Sequence, residues 1–175
     1  SDLANDLGNL LQRMVSLAAK NKVTEVTPGV WGDEEQGLQD HTRDMIDSFK
    51  REMERGYYHM ALSHLWKFIN AVNAYFHASE PWKLARSNPE KFMIVLSATC
   101  HSLHIIGTML WPVMPEKMDE LFNRLGYTFK INGDKVAEII NGKWNKDFSL
   151  IIGNPLFIKP EPKKHHPPKK VKPLP

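Results

Sequence analysis

The sequence predicts an all-α fold: a bundle of about five helices, closed by a short irregular, strand-like C-terminal segment and followed by a disordered basic tail. Three observations predict it. Apolar residues recur at three- and four-residue spacing through most of the first 125 positions. The prolines of that stretch fall between the periodic segments or at their starts, where they end or open helices. Residues 159–175 are proline, lysine and histidine with almost nothing apolar, so they bury too little to offset their ordering entropy.

Each element follows from local signals. Leu3, Leu7, Leu10, Leu11, Met14, Val15 and Leu17 predict a helix over residues 2–20. Pro28, Gly29 and Gly32 mark a connector over 21–33. A second helix is expected from Glu34 to Arg55, with Leu38, Met45, Ile46, Phe49 and Met53 as its stripe and Gly56 as its stop. A third is expected from Tyr57 to Ala78. Glu80-Pro81-Trp82 breaks it, because proline restricts the residue before it and lacks an amide donor. A short turn is expected over Trp82 to Arg86. Asn88 is placed to cap the next helix, with Pro89 at its first position. That helix is expected to reach Trp111, where Pro112 and Pro115 interrupt it. A last helix, Glu116 to Leu125, stops at Gly126. Tyr127-Thr128-Phe129 and Phe148-Ser149-Leu150-Ile151 read as short strands or extended turns, and Val136 to Asn141 as a short helix. Phe157 and Ile158 are expected to dock on the body. The organisation expected is one domain over 1–158 and a Pro/Lys-rich tail or linker over 159–175.

Composition narrows the function classes. The 175 residues are 42% apolar, enough for one core. No uninterrupted apolar run reaches the roughly 18 residues of a membrane span. The single cysteine, Cys100, excludes an internal disulfide and a cysteine-cluster zinc site. The formal charge of +3 is unevenly spread: the tail carries six lysines and one glutamate, and the remaining residues carry 17 basic and 19 acidic groups. Binding of a nucleic acid by the body would therefore rest on a few placed side chains, not on a bulk positive field.

Two constellations suit such a role. Asn5, Asn9 and Arg13, spaced by four, form a slowly drifting helix stripe about 12 Å long, beside the leucines that face the core. An asparagine amide offers donor and acceptor to a base edge, and arginine offers a planar fork. On spacing alone the ordinary reading is preferred, with Asn5 capping locally and Arg13 paired to an acidic neighbour. Pro81-Trp82 sits at a helix junction, where an indole either stacks on an unpaired base or plugs a corner of the core. His101 and His104, at i and i+3, share a helix face, but spacing suggests no third metal ligand, and a structural role is preferred. Asp33, Glu34 and Glu35 sit near a helix start, where the dipole favours carboxylates. There is no glycine-rich phosphate loop, nucleophile elbow or acid/base pair.

Several strings resemble one family. Asp6-Leu7-Gly8-Asn9-Leu10-Leu11-Gln12-Arg13 is similar to the start of the anticodon-binding domain of bacterial and organellar methionyl-tRNA synthetases. So are Asn73-Ala74-Tyr75 followed by Glu80-Pro81-Trp82, and Gly107-Thr108-Met109-Leu110-Trp111-Pro112-Val113-Met114-Pro115, in family order and spacing. Gly153-Asn154-Pro155-Leu156-Phe157 resembles the closing segment, although Ile158-Lys159 stands where the family usually has Pro-Arg. The resemblance implies a helical fold of the class I synthetase anticodon-binding type. It implies that Asn5, Asn9, Arg13, Pro81 and Trp82 face the anticodon, with the Pro-Trp corner stacking on it.

It further implies tRNA-Met, read at CAU, as partner, together with the catalytic domain of a parent methionine–tRNA ligase, and neither DNA nor a membrane. The family's catalytic signatures, His-Ile-Gly-His and Lys-Met-Ser-Lys-Ser, do not occur here. ATP and Mg are thus expected in a catalytic domain outside this sequence, which itself is expected to hold no cofactor, bind tRNA and not aminoacylate. The abrupt amphipathic start at Ser1 reads as a cut through a longer protein. The tail reads as a linker to a further module, as a cationic arm attracted to the tRNA backbone, or as a functionless end. The implied setting is the bacterial cytoplasm, or alternatively an organelle matrix. The alternative function is a synthetase-derived helical protein-interaction module that does not read tRNA.

Overall fold

A computed structural model describes residues 2–130 and 135–158. The predicted tail, 159–175, lies outside the described residues. Among the described residues, seven helices and one two-stranded ladder follow in the order α1 (Asp2–Lys20), β1 (Glu25–Val26), α2 (Asp33–Glu54), α3 (Tyr58–Ala78), α4 (Pro81–Ser87), α5 (Pro89–Leu110), α6 (Pro115–Arg124), α7 (Val136–Asn141) and β2 (Phe148–Ser149). The predicted all-α class holds, with two short helices where about five helices in all were expected. The region read as a turn at Trp82–Arg86 is helix α4, because Pro81 supplies the fixed φ of a first helical position.

Helix α1 buries Leu7, Leu10, Leu11, Met14, Val15 and Ala18 on one side. It ends with Lys22 at φ 60° and the Val23 amide donating back to the Ala18 carbonyl (2.9 Å). The same closure ends α2 at Gly56 (φ 76°) and α6 at Gly126 (φ 80°), where left-handed backbone favours glycine. These are the two stops expected from sequence; Lys22 carries no such signal.

Helix α5 is the centre. It is long and apolar enough to cross a membrane by length and composition, but 89% of its apolar window is buried inside the bundle. Hydroxyl residues interrupt its apolar run. Thr99, Ser102 and Thr108 hide those hydroxyls by donating to the carbonyls four residues back, at 2.8–2.9 Å. Asn88 accepts the Lys91 amide at 3.1 Å, the cap expected of it. Gly107 lets α6 approach: a Cβ there would lie 3.0 Å from the Phe122 ring.

The ladder pairs Glu25 with Ser149 and Val26 with Phe148, antiparallel. Phe148–Ser149 was expected to be extended; its partner lies inside the predicted connector. Tyr127–Phe129 forms no strand. The closing segment packs despite the departure at Ile158-Lys159. The Arg124 guanidinium donates to the Asn154 carbonyl and to Glu120. Phe157 lies against Gly8, whose absent side chain leaves room for the ring. Ile158, expected to dock, is instead 82% exposed, since the chain has by then left the bundle surface.

Candidate nucleic-acid interface

The corner after α3 is built by four adjacent residues, Ser79 to Trp82. Ser79 donates its hydroxyl to the Tyr75 carbonyl (2.8 Å), so α3 ends firmly. Glu80 then turns left-handed, at φ 45° and ψ 52°. A non-glycine residue there stores about 1–3 kcal/mol of strain, a feature that gathers at functional sites. The turn is held by the Lys83 amide on the Glu80 carbonyl (2.8 Å) and by the Lys83 ammonium on the Glu80 carboxylate (2.7 Å). Pro81 goes inward and is buried, while Trp82, the next residue, swings outward and is 40% exposed. The indole leans on the His77 ring, with centroids 5.6 Å apart.

Across from it runs α1. Arg13, Ser16, Leu17 and Lys20 of α1, Phe76 of α3 and Trp82 of α4 line one open hollow of about 310 Å³. The Arg13 guanidinium lies 5.7 Å from the Phe76 ring centroid, a cation–π contact that holds it along the wall. Arg13 is exposed and has no ion pair among the described residues, so the acidic partner considered for it is not there. Thus the structure brings Arg13 and Trp82 together, 69 positions apart in sequence. Asn9 is exposed one turn before Arg13 on α1, and Asn5 is half-buried a turn earlier; neither lines the hollow. Pro81 is buried and does not line it either.

Two sets of residues escaped the sequence reading. Ser16 and Lys20 follow Arg13 at i+3 and i+7, a helical spacing that was available as a signal. Glu35 gave none. Read as a carboxylate near a helix start, it is fully buried and accepts from the Tyr75 hydroxyl (2.6 Å), the Lys91 ammonium (2.8 Å) and the Gly32 amide (3.0 Å). Burial pushes its carboxyl up, but the Lys91 and Tyr75 bonds, the Lys91 charge and the Gly32 amide outweigh that and hold it below the usual glutamate value. Burial, and then Glu35 itself, push the Tyr75 hydroxyl well up, so it remains a donor. This hub ties α2 and α5 to the last turn of α3, which carries the Trp82 corner. Asn73 adds a tie from α3 to α1, donating to the Asp6 carbonyl at 3.4 Å.

The histidine pair belongs to the core. His101 Nδ1 donates to the Ser97 carbonyl (2.7 Å) and Nε2 accepts the Lys146 amide (3.0 Å), which fixes a neutral tautomer. His104 packs among Phe122, Tyr127 and Phe148. Among the described residues no group of three or more His, Cys, Asp or Glu is placed to hold a metal. A second hollow, also of about 310 Å³, is lined by His104, Phe122, Tyr127, Phe129 and Glu138 among others, and contains none of the predicted site residues.

Comparison with known proteins agrees with this fold. Residues 26–159 match the family described as the anticodon binding domain of methionyl tRNA ligase. The match begins after α1. The methionine–tRNA ligase of Brucella suis is 32% identical over 126 residues, covering 71% of this chain and 24% of the relative. That of Thermotoga maritima is 30% identical over 161 residues, covering 91% of this chain and 25% of the relative. The chain therefore spans about a quarter of the length of these curated relatives. Among solved structures, the apo form of Mycobacterium tuberculosis methionyl-tRNA synthetase superposes with a TM-score of 0.80 at 29% identity, covering 93% of this chain and 33% of that one. With sequence and fold in agreement, the chain belongs to the family of anticodon-binding domains of methionyl-tRNA ligases.

Proposed function

We propose that this chain reads the CAU anticodon of tRNA-Met as the recognition part of a methionine–tRNA ligase working in translation. The observation that carries the reading is the convergence of Arg13 and Trp82, from different helices, on one solvent-open hollow. An anticodon is single-stranded, so its bases can be splayed out, stacked on aromatic faces and read on their Watson–Crick edges. In this reading Trp82 holds the first anticodon base by its face. Asn9 and Arg13 test base edges, with Asn5 beside them, and a wrong base leaves a desolvated polar group unpaired. Pro81 contributes by setting the corner that presents the indole.

The chemistry of charging is assigned to a catalytic domain outside this sequence, where ATP and Mg would be used. The reading unit is residues 1–158. The bacterial sources of these relatives favour a bacterial cytoplasm as the setting.

Binding of the chain to tRNA with a CAU anticodon, compared with the same tRNA carrying a substituted anticodon base, tests this. The expected loss is about 1–3 kcal/mol per substituted base. Trp82→Ala is expected to weaken binding of cognate tRNA by about 1–3 kcal/mol with helicity retained. Indifference to the anticodon would refute the reading and leave a helical protein-interaction module.

A further inference from the structure

The hollow extends beyond the residues that the anticodon reading uses. Past Arg13 its wall continues along α1 through Ser16 and Leu17 to Lys20. Arg13 and Lys20 are seven residues apart, two helical turns or about 10 Å along one face. Both are exposed, and neither is held in an ion pair among the described residues. Other cations of the body are so held, among them Arg43, Arg51, Lys83 and Lys91. Ser16 is engaged on one side only: its oxygen accepts from the Gln12 amide at 3.2 Å, which leaves its own hydroxyl proton to donate. Lys20 also lies in the last turn of α1, where a cation complements the helix dipole. The dipole accounts for a cation at that terminus, not for one that shares a wall with Phe76 and an outward-facing indole.

A nucleotide is an aromatic plate joined to an anion. The lining of the hollow includes both kinds of residue, the aromatic Trp82 and Phe76 and, from α1, Ser16 and Lys20. Since the body outside the tail carries more acidic than basic groups, attraction to a polyanion must come from such placed cations. We propose that Lys20, assisted by Ser16, binds the phosphate of the nucleotide whose base stacks on Trp82. This rests on the anticodon reading and extends it, dividing the wall between Arg13, which tests a base edge, and Lys20, which carries no sequence information. A lysine suits the second task, being a compact point charge rather than a planar fork.

The experiment measures binding of the full chain to an anticodon stem-loop RNA with CAU, and to one with a changed anticodon, between 50 and 200 mM salt. The variants are Lys20→Ala, Lys20→Arg and Trp82→Ala, each checked for helicity. Release of one counterion from a single strand contributes about 0.7 to the slope of log affinity against log salt. Lys20→Ala is expected to flatten the slope by about that amount and weaken both RNAs by the same factor, and Lys20→Arg to restore both. An unchanged slope, or a loss confined to the CAU loop, overturns the phosphate assignment. If Trp82→Ala weakens binding and Lys20→Ala does not, this inference alone fails. If neither the wild-type chain nor the variants distinguish the two loops, the anticodon reading fails with it.

Discussion

Two tryptophan–histidine pairs in this molecule have the same chemistry and opposite fates. Trp144 stacks on His101 with the rings 5.5 Å apart and 9° from parallel, and Trp31 meets both edge-on. The indole is 6% exposed and the imidazole 3%, and both ring nitrogens of His101 are bonded. Trp82 leans on His77 at a similar distance, but its indole is 40% exposed and borders the hollow beside Arg13. What separates a sealed pair from an open one is thus completed contact and bonding, not residue type. A sealed pair has nothing left to offer a ligand, while an open one keeps an aromatic face that only a ligand can cover.

The largest effect expected from this contrast is on stability. Trp144→Ala removes a buried indole from between His101, Trp31 and the segment that carries β2, and is expected to cost about 3–5 kcal/mol, as large-to-small core changes do. Trp82→Ala should cost a small fraction of that. Denaturant unfolding of both variants measures the difference, and equal losses would abolish the distinction between the two pairs.

A somewhat smaller effect is expected with pH. Burial, aided by the Lys146 charge and opposed by the Ser97 bond, pushes the His101 imidazole down to about 4, against an ordinary value of 6.5. Between those values the unfolded chain binds a proton that the folded chain refuses. The contribution is therefore complete above pH 6.5 and declines as pH falls towards 4, by on the order of 3 kcal/mol. Unfolding free energies measured from pH 7.5 to 4 check it. His101→Gln is expected to be less stable at neutral pH but to lose most of that decline; an unaltered decline would remove His101 as its source.

Most of the helical frame was legible in the residues because helix signals are local. The leucine spacing of α1, the Asn88-Pro89 start of α5 and the glycine stops at 56 and 126 each act within a turn or two. The two-residue strand β1 was not, since its partner Ser149 lies 124 positions from Glu25 and two residues cannot display an alternation. Helix α4 was missed because seven residues that open on a proline carry little periodicity. For the site, no local signal distinguished Trp82 from Trp144, and the expected meeting of Arg13 with Trp82 came from family resemblance. Glu35 was illegible for a related reason: its partners sit on three segments, and a carboxylate at a helix start looks the same whether exposed or sealed.

Glu35 also supplies the finest test, because it joins the sealed part of the bundle to the open one. Glu35→Gln keeps an oxygen for the Tyr75 hydroxyl but removes the charge that Lys91 faces and turns an amide NH2 on the Gly32 amide, which loses its acceptor. Lys91 is about a third exposed and can hydrate, so the expected loss is about 1–2 kcal/mol, near the low end for a bond to a charged group. Because the carboxyl lies below its ordinary 4.5, its stabilisation is complete above that pH and is lost as pH falls through the folded value. The variant should therefore lose the most acidic limb of the stability profile and keep the His101 limb above it. If the hub also steadies the corner, the fluorescence of Trp82, followed in a background lacking the other four tryptophans' contribution by difference against Trp82→Phe, should become more accessible to a soluble quencher in Glu35→Gln. A stability loss with unchanged quenching would confine Glu35 to the sealed side of the comparison.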